Sequence, residues 1–205
     1  MSQDSLIGLI MATLLEAAPA IEGLAMTESE REPFAVYQAD GMRLILSGIG
    51  KANAAMACAY LIRQYEPTCI LNVGAAGATD GRTNLGECFH ITRVIEPDRP
   101  HLRTGTPHEH IPDVLEGFPE ATLATQDRPV TDPDHRAAIA LQAELVDMEA
   151  ASVVQAARRF RLPCYLFKFV SDAPAHTKSA EIETNIKQYR QAFYAFLRDN
   201  VLPRL

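Results

Sequence analysis

The chain has 205 residues, 47% hydrophobic and 22% charged, and a formal net charge of −7. That length suits one α/β-sized domain, residues 1–205, around a single core, and the composition lies far from the low-hydrophobicity, high-charge corner of disorder. Its 19 Lys and Arg residues are scattered, so there is no basic stripe of the kind a nucleic-acid backbone requires.

Ser2-Gln3-Asp4-Ser5 precedes the first apolar run without the positive leader of a secretory signal. No apolar stretch approaches the roughly 20 residues of a membrane span, and the expected compartment is the cytoplasm. Residues 6–12 (LIGLIMA) predict a strand buried on both faces, with a helix around Glu16 to Leu24. Short strands at 36–37 and 43–47 flank the Ala39-Asp40-Gly41 turn. Gly48-Ile49-Gly50 then opens an Ala-rich helix over 51–65, which Pro67 stops. Residues 69–73 (CILNV) predict another buried strand, running into a glycine loop at Gly74-Ala75-Ala76-Gly77.

Residues 96–134 are rich in Pro, His, Asp and Thr, with β-prone pieces at 89–95 and 121–125, and predict mostly loop covering a site. A helix over 148–160 ends in Arg158 and Arg159; Pro163 introduces a strand over 164–170, with Ser171-Asp172 at its exit. A last helix over 181–200 places Ile182, Ile186, Tyr189, Phe193, Phe196 and Leu197 on one face. Strands alternating with helices predict an α/β sheet covered on both faces. Of the four cysteines, Cys58, Cys69, Cys88 and Cys164, three sit in apolar runs, and no CxxC pair suggests zinc or redox chemistry.

In such sheets functional groups gather beyond the carboxyl ends of strands, which points to Glu16, the Gly48 and Gly74 segments, and Ser171-Asp172. A GxG or GxxG alone is more often a tight turn. Read without its neighbours, Asp172 suits a helix N-cap, Glu149 a solvated carboxylate at a helix start, and Glu16 a surface residue of a first helical turn.

Together, the segments Ser47-Gly48-Ile49-Gly50-Lys51, Asn72-Val73-Gly74-Ala75-Ala76-Gly77, Asp147-Met148-Glu149-Ala150 and Val170-Ser171-Asp172-Ala173 resemble the SGIGK, N-x-G-S-A-G, E-M-E-A and I-S-D segments of one family, in its order. That family is the methylthioadenosine/S-adenosylhomocysteine nucleosidase branch of the nucleoside phosphorylase superfamily. Ala12-Thr13-Leu14-Leu15-Glu16 is similar to its early A-M-x-x-E stretch. The resemblance implies a three-layer αβα sandwich with a mixed central sheet, hydrolysis of a purine–ribose bond in a 5′-modified adenine nucleoside, no cofactor and no metal, and a homodimer.

It also implies roles. Asp172, beside Ser171, would meet purine N7 as the acid, which calls for a desolvated setting; Glu16 would activate water as general base. Glu149 would bind the ribose hydroxyls, where its charge helps more as the sugar becomes cationic, and Met148 would pack on the sugar. Ala76, Gly77 and Val130 would lie near the purine, and His101 near the pocket mouth.

Several positions depart from the pattern. Asn72 and Ala75 stand where phosphorolytic relatives carry arginine and serine, favouring water over phosphate, although nucleosidases also usually keep that serine. Lys168 replaces an arginine near the water, and the two are not interchangeable in fork geometry. The chain is shorter between 101 and 123 and between 130 and 147. Phosphate-dependent phosphorolysis and a catalytically weak nucleoside-binding module are the alternative readings. His108-Glu109-His110 could contribute to a metal site, but loop histidines with no third ligand usually face solvent.

Overall fold

Ile7–Met11 (β1) is buried at all five positions, and its side chains alternate between two cores: Leu9 and Met11 enter one, Ile10 the other. The computed structural model describes residues 5–176 and 178–205; the Ser2, Gln3 and Asp4 start lies outside them. After β1, Thr13 caps α1 (Leu14–Gly23) through a capping box, its hydroxyl accepting the Glu16 N–H while the Glu16 carboxylate accepts the Thr13 N–H.

Next come β2 (Thr27–Glu30), β3 (Val36–Ala39) and β4 (Met42–Leu46), an antiparallel meander whose last strand runs parallel to β1. Helix α2 (Lys51–Tyr65) returns the chain to β5 (Cys69–Ala78), which lies parallel to β1 on its other side. Then follow β6 (Cys88–Pro100), β7 (Pro107–His110), β8 (Glu120–Thr125), α3 (Pro133–Ala140), β9 (Leu145–Asp147), α4 (Ala150–Arg159), β10 (Cys164–Asp172) and α5 (Ser179–Phe196). Beyond α5 the chain continues in a π-helical turn, Leu197–Val201, and a 3-10 turn, Leu202–Arg204.

The sheet is mixed. β5 pairs parallel with β10, β10 antiparallel with β6, β6 parallel with β8, β8 parallel with β9, and β9 antiparallel with β5 again. One end of the sheet therefore closes on itself, while the other fans out to β2. Helices α2 and α4 cover one face, where Ala54, Ala57 and Cys58 are small enough to let Val153, Val154 and Ala157 approach closely. Helices α1 and α5 cover the other, burying Ala17, Ala20, Phe193 and Tyr194 against β1, β5 and β10. This is the αβα sandwich with a mixed central sheet that the resemblance implied. Cys58, Cys69 and Cys164 are buried as small hydrophobes, and all four cysteines are free thiols.

Two expectations are corrected, the glycine loop and the helix start at 148. Gly74-Ala75-Ala76-Gly77 is no loop but part of β5, because β10 continues to pair with it as far as Gly77. Residues 96–134 are loop for more than half their length, as expected, and the β-prone pieces lie in β6 and β8; β6 runs on to Pro100, β7 and β8 pair with it, and α3 begins at Pro133 behind the N-cap Asp132. The Pro and His content there reflects an edge hairpin, where missing N–H donors are tolerated. The helix expected from 148 starts at Ala150, leaving Met148 and Glu149 on the turn before it. Asp172 ends a strand, which excludes the alternative reading of it as a helix N-cap.

Candidate active site

The site originates where β5 changes neighbours. On one edge β10 accompanies β5 from Ile70 to Gly77; on the other, β1 stays only to Asn72 and β9 joins only at Gly77. Between them the edge has no strand partner, and the Ala75 N–H instead donates to Glu16 Oε1 at 2.7 Å. A buried amide needs an acceptor, and this one is a side chain. Thr13 Oγ1 donates to Glu16 Oε2 at 2.7 Å, so both carboxylate oxygens are held and Glu16 is only 8% exposed. Its alternative as a surface residue is thereby excluded. Gly74 makes room for it, since a Cβ there would lie 2.7 Å from Oε1.

Asp172 faces Gly77 across the β5–β10 ladder, past a bulge between Val170 and Asp172. Gly77 is the floor beneath it: a Cβ on that residue would sit 2.6 Å from Asp172 Oδ2. Ser171 Oγ donates to Oδ1 at 2.8 Å, and Arg136 Nη2 donates to Oδ2 at 2.7 Å. The expected setting was simple desolvation. Asp172 is indeed buried, but it shares that burial with a guanidinium from α3, a partner the sequence reading did not identify.

The third carboxylate, Glu149, is 7% exposed and accepts the Gly50 N–H at 2.8 Å. Gly50 takes φ +102, a conformation that an L side chain rarely adopts, and this turns its amide toward the acid. Burial pushes Glu149 up to about 7; the negative charge of Asp147 adds to the rise, and Lys168 and the Gly50 N–H oppose it. Lys168 is fully buried, with Nζ 3.0 Å from Asp147 Oδ2. Burial alone would lower the ammonium, but Asp147, Glu149 and Glu16 together hold it above the ordinary lysine range. Asp147 also accepts from Thr125 Oγ1 at 2.6 Å and from the Ala150 N–H at 2.9 Å, so this pair forms a satisfied base beneath Glu149.

A mainly apolar cavity of about 360 Å³ joins these groups, with Glu16, Ala76, Gly77, Val130, Met148, Glu149, Ser171 and Asp172 all on its walls. Ile182, Glu183 and Ile186 of α5, together with Ile49 and Arg128, complete it. His101 is the exception and does not line this cavity. It sits in the turn of the β6–β7 hairpin, hydrogen-bonded through its backbone N–H to Thr106 O, with its ring tilted against that of His108 at 3.6 Å between centroids. The depression it lines, at the hairpin tip, shares no lining residue with the cavity. His110 Nε2 lies 2.8 Å from Glu96, and no group of three or more His, Cys, Asp or Glu among the described residues is arranged to hold a metal ion.

Carboxylates on three separate elements, set at a strand handover in a mixed αβα sheet, define an enzyme-like small-molecule site. A family model, the phosphorylase superfamily, matches residues 6–140 and 118–201, and the chain belongs to that superfamily. It is 26% identical over 170 residues to the 5′-methylthioadenosine/S-adenosylhomocysteine nucleosidase of Bacillus cytotoxicus, covering 71% of this chain and 74% of that protein. Among solved structures it resembles the futalosine hydrolase of Helicobacter pylori (TM-score 0.84, 17% identity, 97% of each chain). It also resembles the 5′-methylthioadenosine nucleosidase of Arabidopsis thaliana (TM-score 0.83, 20% identity, 95% of this chain and 93% of that one).

Proposed function

We propose that the chain is a purine nucleoside N-ribosyl hydrolase acting on a 5′-modified adenine nucleoside such as methylthioadenosine or adenosylhomocysteine, with residues 1–205 working as one unit. The observation that carries this reading is the set of three buried carboxylates, Glu16, Glu149 and Asp172, around one apolar cavity. Cleaving the C1′–N9 bond leaves the electron pair on the purine and positive character on the ribose. Asp172 gives its proton to N7 of the departing base, with Ser171 orienting it and Ala76, Gly77 and Val130 around the ring. Glu149 holds the ribose hydroxyls above Met148, and its negative form stabilises the cationic sugar. Glu16 takes a proton from the water whose oxygen bonds to C1′.

Water is favoured over phosphate because the donors are committed elsewhere. Asn72 gives its amide to Ile10 O at 3.1 Å, Ala75 has no donor side chain and its N–H is taken by Glu16, and Lys168 is paired with Asp147. The test is adenine release from methylthioadenosine with and without phosphate. Equal rates are expected, whereas strict phosphate dependence would assign phosphorolysis, and nucleoside binding without base release would assign a binding module. No helix among the described residues is long and apolar enough to cross a membrane. We further infer, on the likeness to nucleosidases, a cytoplasmic homodimer; sedimentation at the mass of one chain would refute the dimer. Ile49, a cavity wall 55% exposed, is consistent with a neighbour's cover.

A further inference from the structure

Arg136 is 3% exposed, lies in the eight-residue helix α3, and has nearly all its donors committed. Nε and Nη2 both donate to Val130 O, at 3.1 and 2.5 Å; Nη1 donates to Ala78 O at 2.7 Å; and Nη2 donates to Asp172 Oδ2 at 2.7 Å. One planar group thus ties together the covering segment, the end of β5 and the end of β10, and it forms part of the cavity wall itself. A guanidinium used only to staple α3 to the sheet would be satisfied by the two carbonyls. The fourth bond goes to the carboxylate that faces the cavity.

We propose that Arg136 is a positioning residue for Asp172: it fixes one carboxylate oxygen while Ser171 fixes the other, so that the acid meets the purine in a single orientation. Gly77 lies beneath Asp172 with no side chain, Ser171 Oγ holds Oδ1, and Arg136 compensates the charge that proton transfer to the base leaves on Oδ2. The fork of Arg136 is planar and held at Val130 and Ala78, so the direction of its donor toward Oδ2 is set by the backbone of two other elements. A lysine would supply the charge without the direction. This inference rests on the assignment of Asp172 as the group that serves the base.

The experiment is a double-mutant cycle on adenine release from methylthioadenosine, using Arg136→Gln, Asp172→Asn and both together. Arg136→Gln is expected to lower kcat by about 100-fold with KM within about threefold, the signature of lost orientation rather than lost binding. Arg136→Lys should recover part of that loss. In the Asp172→Asn background the same arginine change should cost less than about threefold, because the group it positions is already gone. A kcat for Arg136→Gln within twofold of the unmodified chain, or an equal loss in both backgrounds, overturns the proposal. Should Arg136→Gln fail to fold, Arg136→Lys in the same cycle gives the coupling, and additivity there overturns it equally. Should the unmodified chain release no base, the hydrolase reading fails by itself. The cycle is then read in adenine binding by calorimetry, where additive effects refute the role of Arg136.

Discussion

Replacing Gly77 with alanine tests the geometry of the acid most directly. The backbone tolerates the change, since Gly77 sits in an ordinary strand conformation between β10 and β9. Space does not: the new methyl would lie 2.6 Å from Asp172 Oδ2 and 3.0 Å from both Cγ and Oδ1. Restoring van der Waals contact requires the carboxylate to retreat by roughly 0.8 Å, and misplacement on the order of 1 Å at a reacting group costs about 10²-fold in rate. The arginine pair must move with it, and overpacking of this kind costs about 1–3 kcal/mol. For a chain of this size that lowers the melting temperature by about 2–4 °C per kcal/mol. Steady-state adenine release and a thermal melt, run beside Gly81→Ala, separate the two effects. A Cβ at Gly81 meets nothing within 4 Å, so that control should match the unmodified chain in both assays. Gly77→Ala with more than half the original kcat would refute the assignment of Asp172 as the group that must touch the base.

Three further outcomes follow from buried charge. Glu149 is raised from 4.5 to about 7 by burial and by Asp147, so the folded chain binds the proton more tightly than the unfolded one; its contribution to stability is present below pH 4.5 and is lost as pH rises toward 7. Glu149→Gln should therefore melt higher than the unmodified chain at pH 8 while losing at least about 100-fold in turnover, and a lower melting temperature there would count against the buried-carboxylate account. His90 is fully buried, with Nδ1 2.8 Å from Leu166 O and Nε2 accepting the Leu115 N–H, and burial lowers its pKa from 6.5. Protonation would break the Leu115 bond, so stability from this group is present above pH 6.5 and lost as pH falls below it. His90→Leu should flatten the melting-temperature profile between pH 7 and pH 5, and an unchanged slope would exclude His90 as its source. Lys168→Met leaves Asp147 buried without its cation and should cost about 3–5 kcal/mol in denaturant unfolding. Adding Asp147→Asn should return part of that, and a strictly additive loss would contradict the pairing.

Much of the fold was legible because its signals are local. The apolar run of β1, the Ala-rich α2 stopped by Pro67, and the strand before Asp172 each carry their periodicity in a few neighbouring residues. The glycine segment of β5 misread as a loop because its glycines serve a side-chain purpose: Gly74 and Gly77 clear space for Glu16 and Asp172, and nothing in the local sequence distinguishes that from a turn. Strands β7 and β9 are only four and three residues long and exist through pairing with distant partners, which no local pattern records. Glu16 had a readable signal, since Thr13-Leu14-Leu15-Glu16 has the spacing of a capping box, and that spacing already ties the carboxylate to the helix start. Arg136 had none. It stands in a polar Asp- and His-bearing stretch, 36 residues from the acid it contacts. His101 matched by position in the chain alone, and it stands in the β6–β7 turn, outside the cavity wall.

The handover along β5, from β1 at Asn72 to β9 at Gly77, binds stability and chemistry to the same atoms. A strand that exchanges one neighbour for another must leave amides unmatched in between, and here Glu16 completes the ladder as though it were a short piece of strand. The carboxylate assigned to water activation is thus also a structural acceptor. Descendants of this chain that abandoned the reaction would still need an oxygen at that point, so a glutamate at position 16 would outlast the activity it serves.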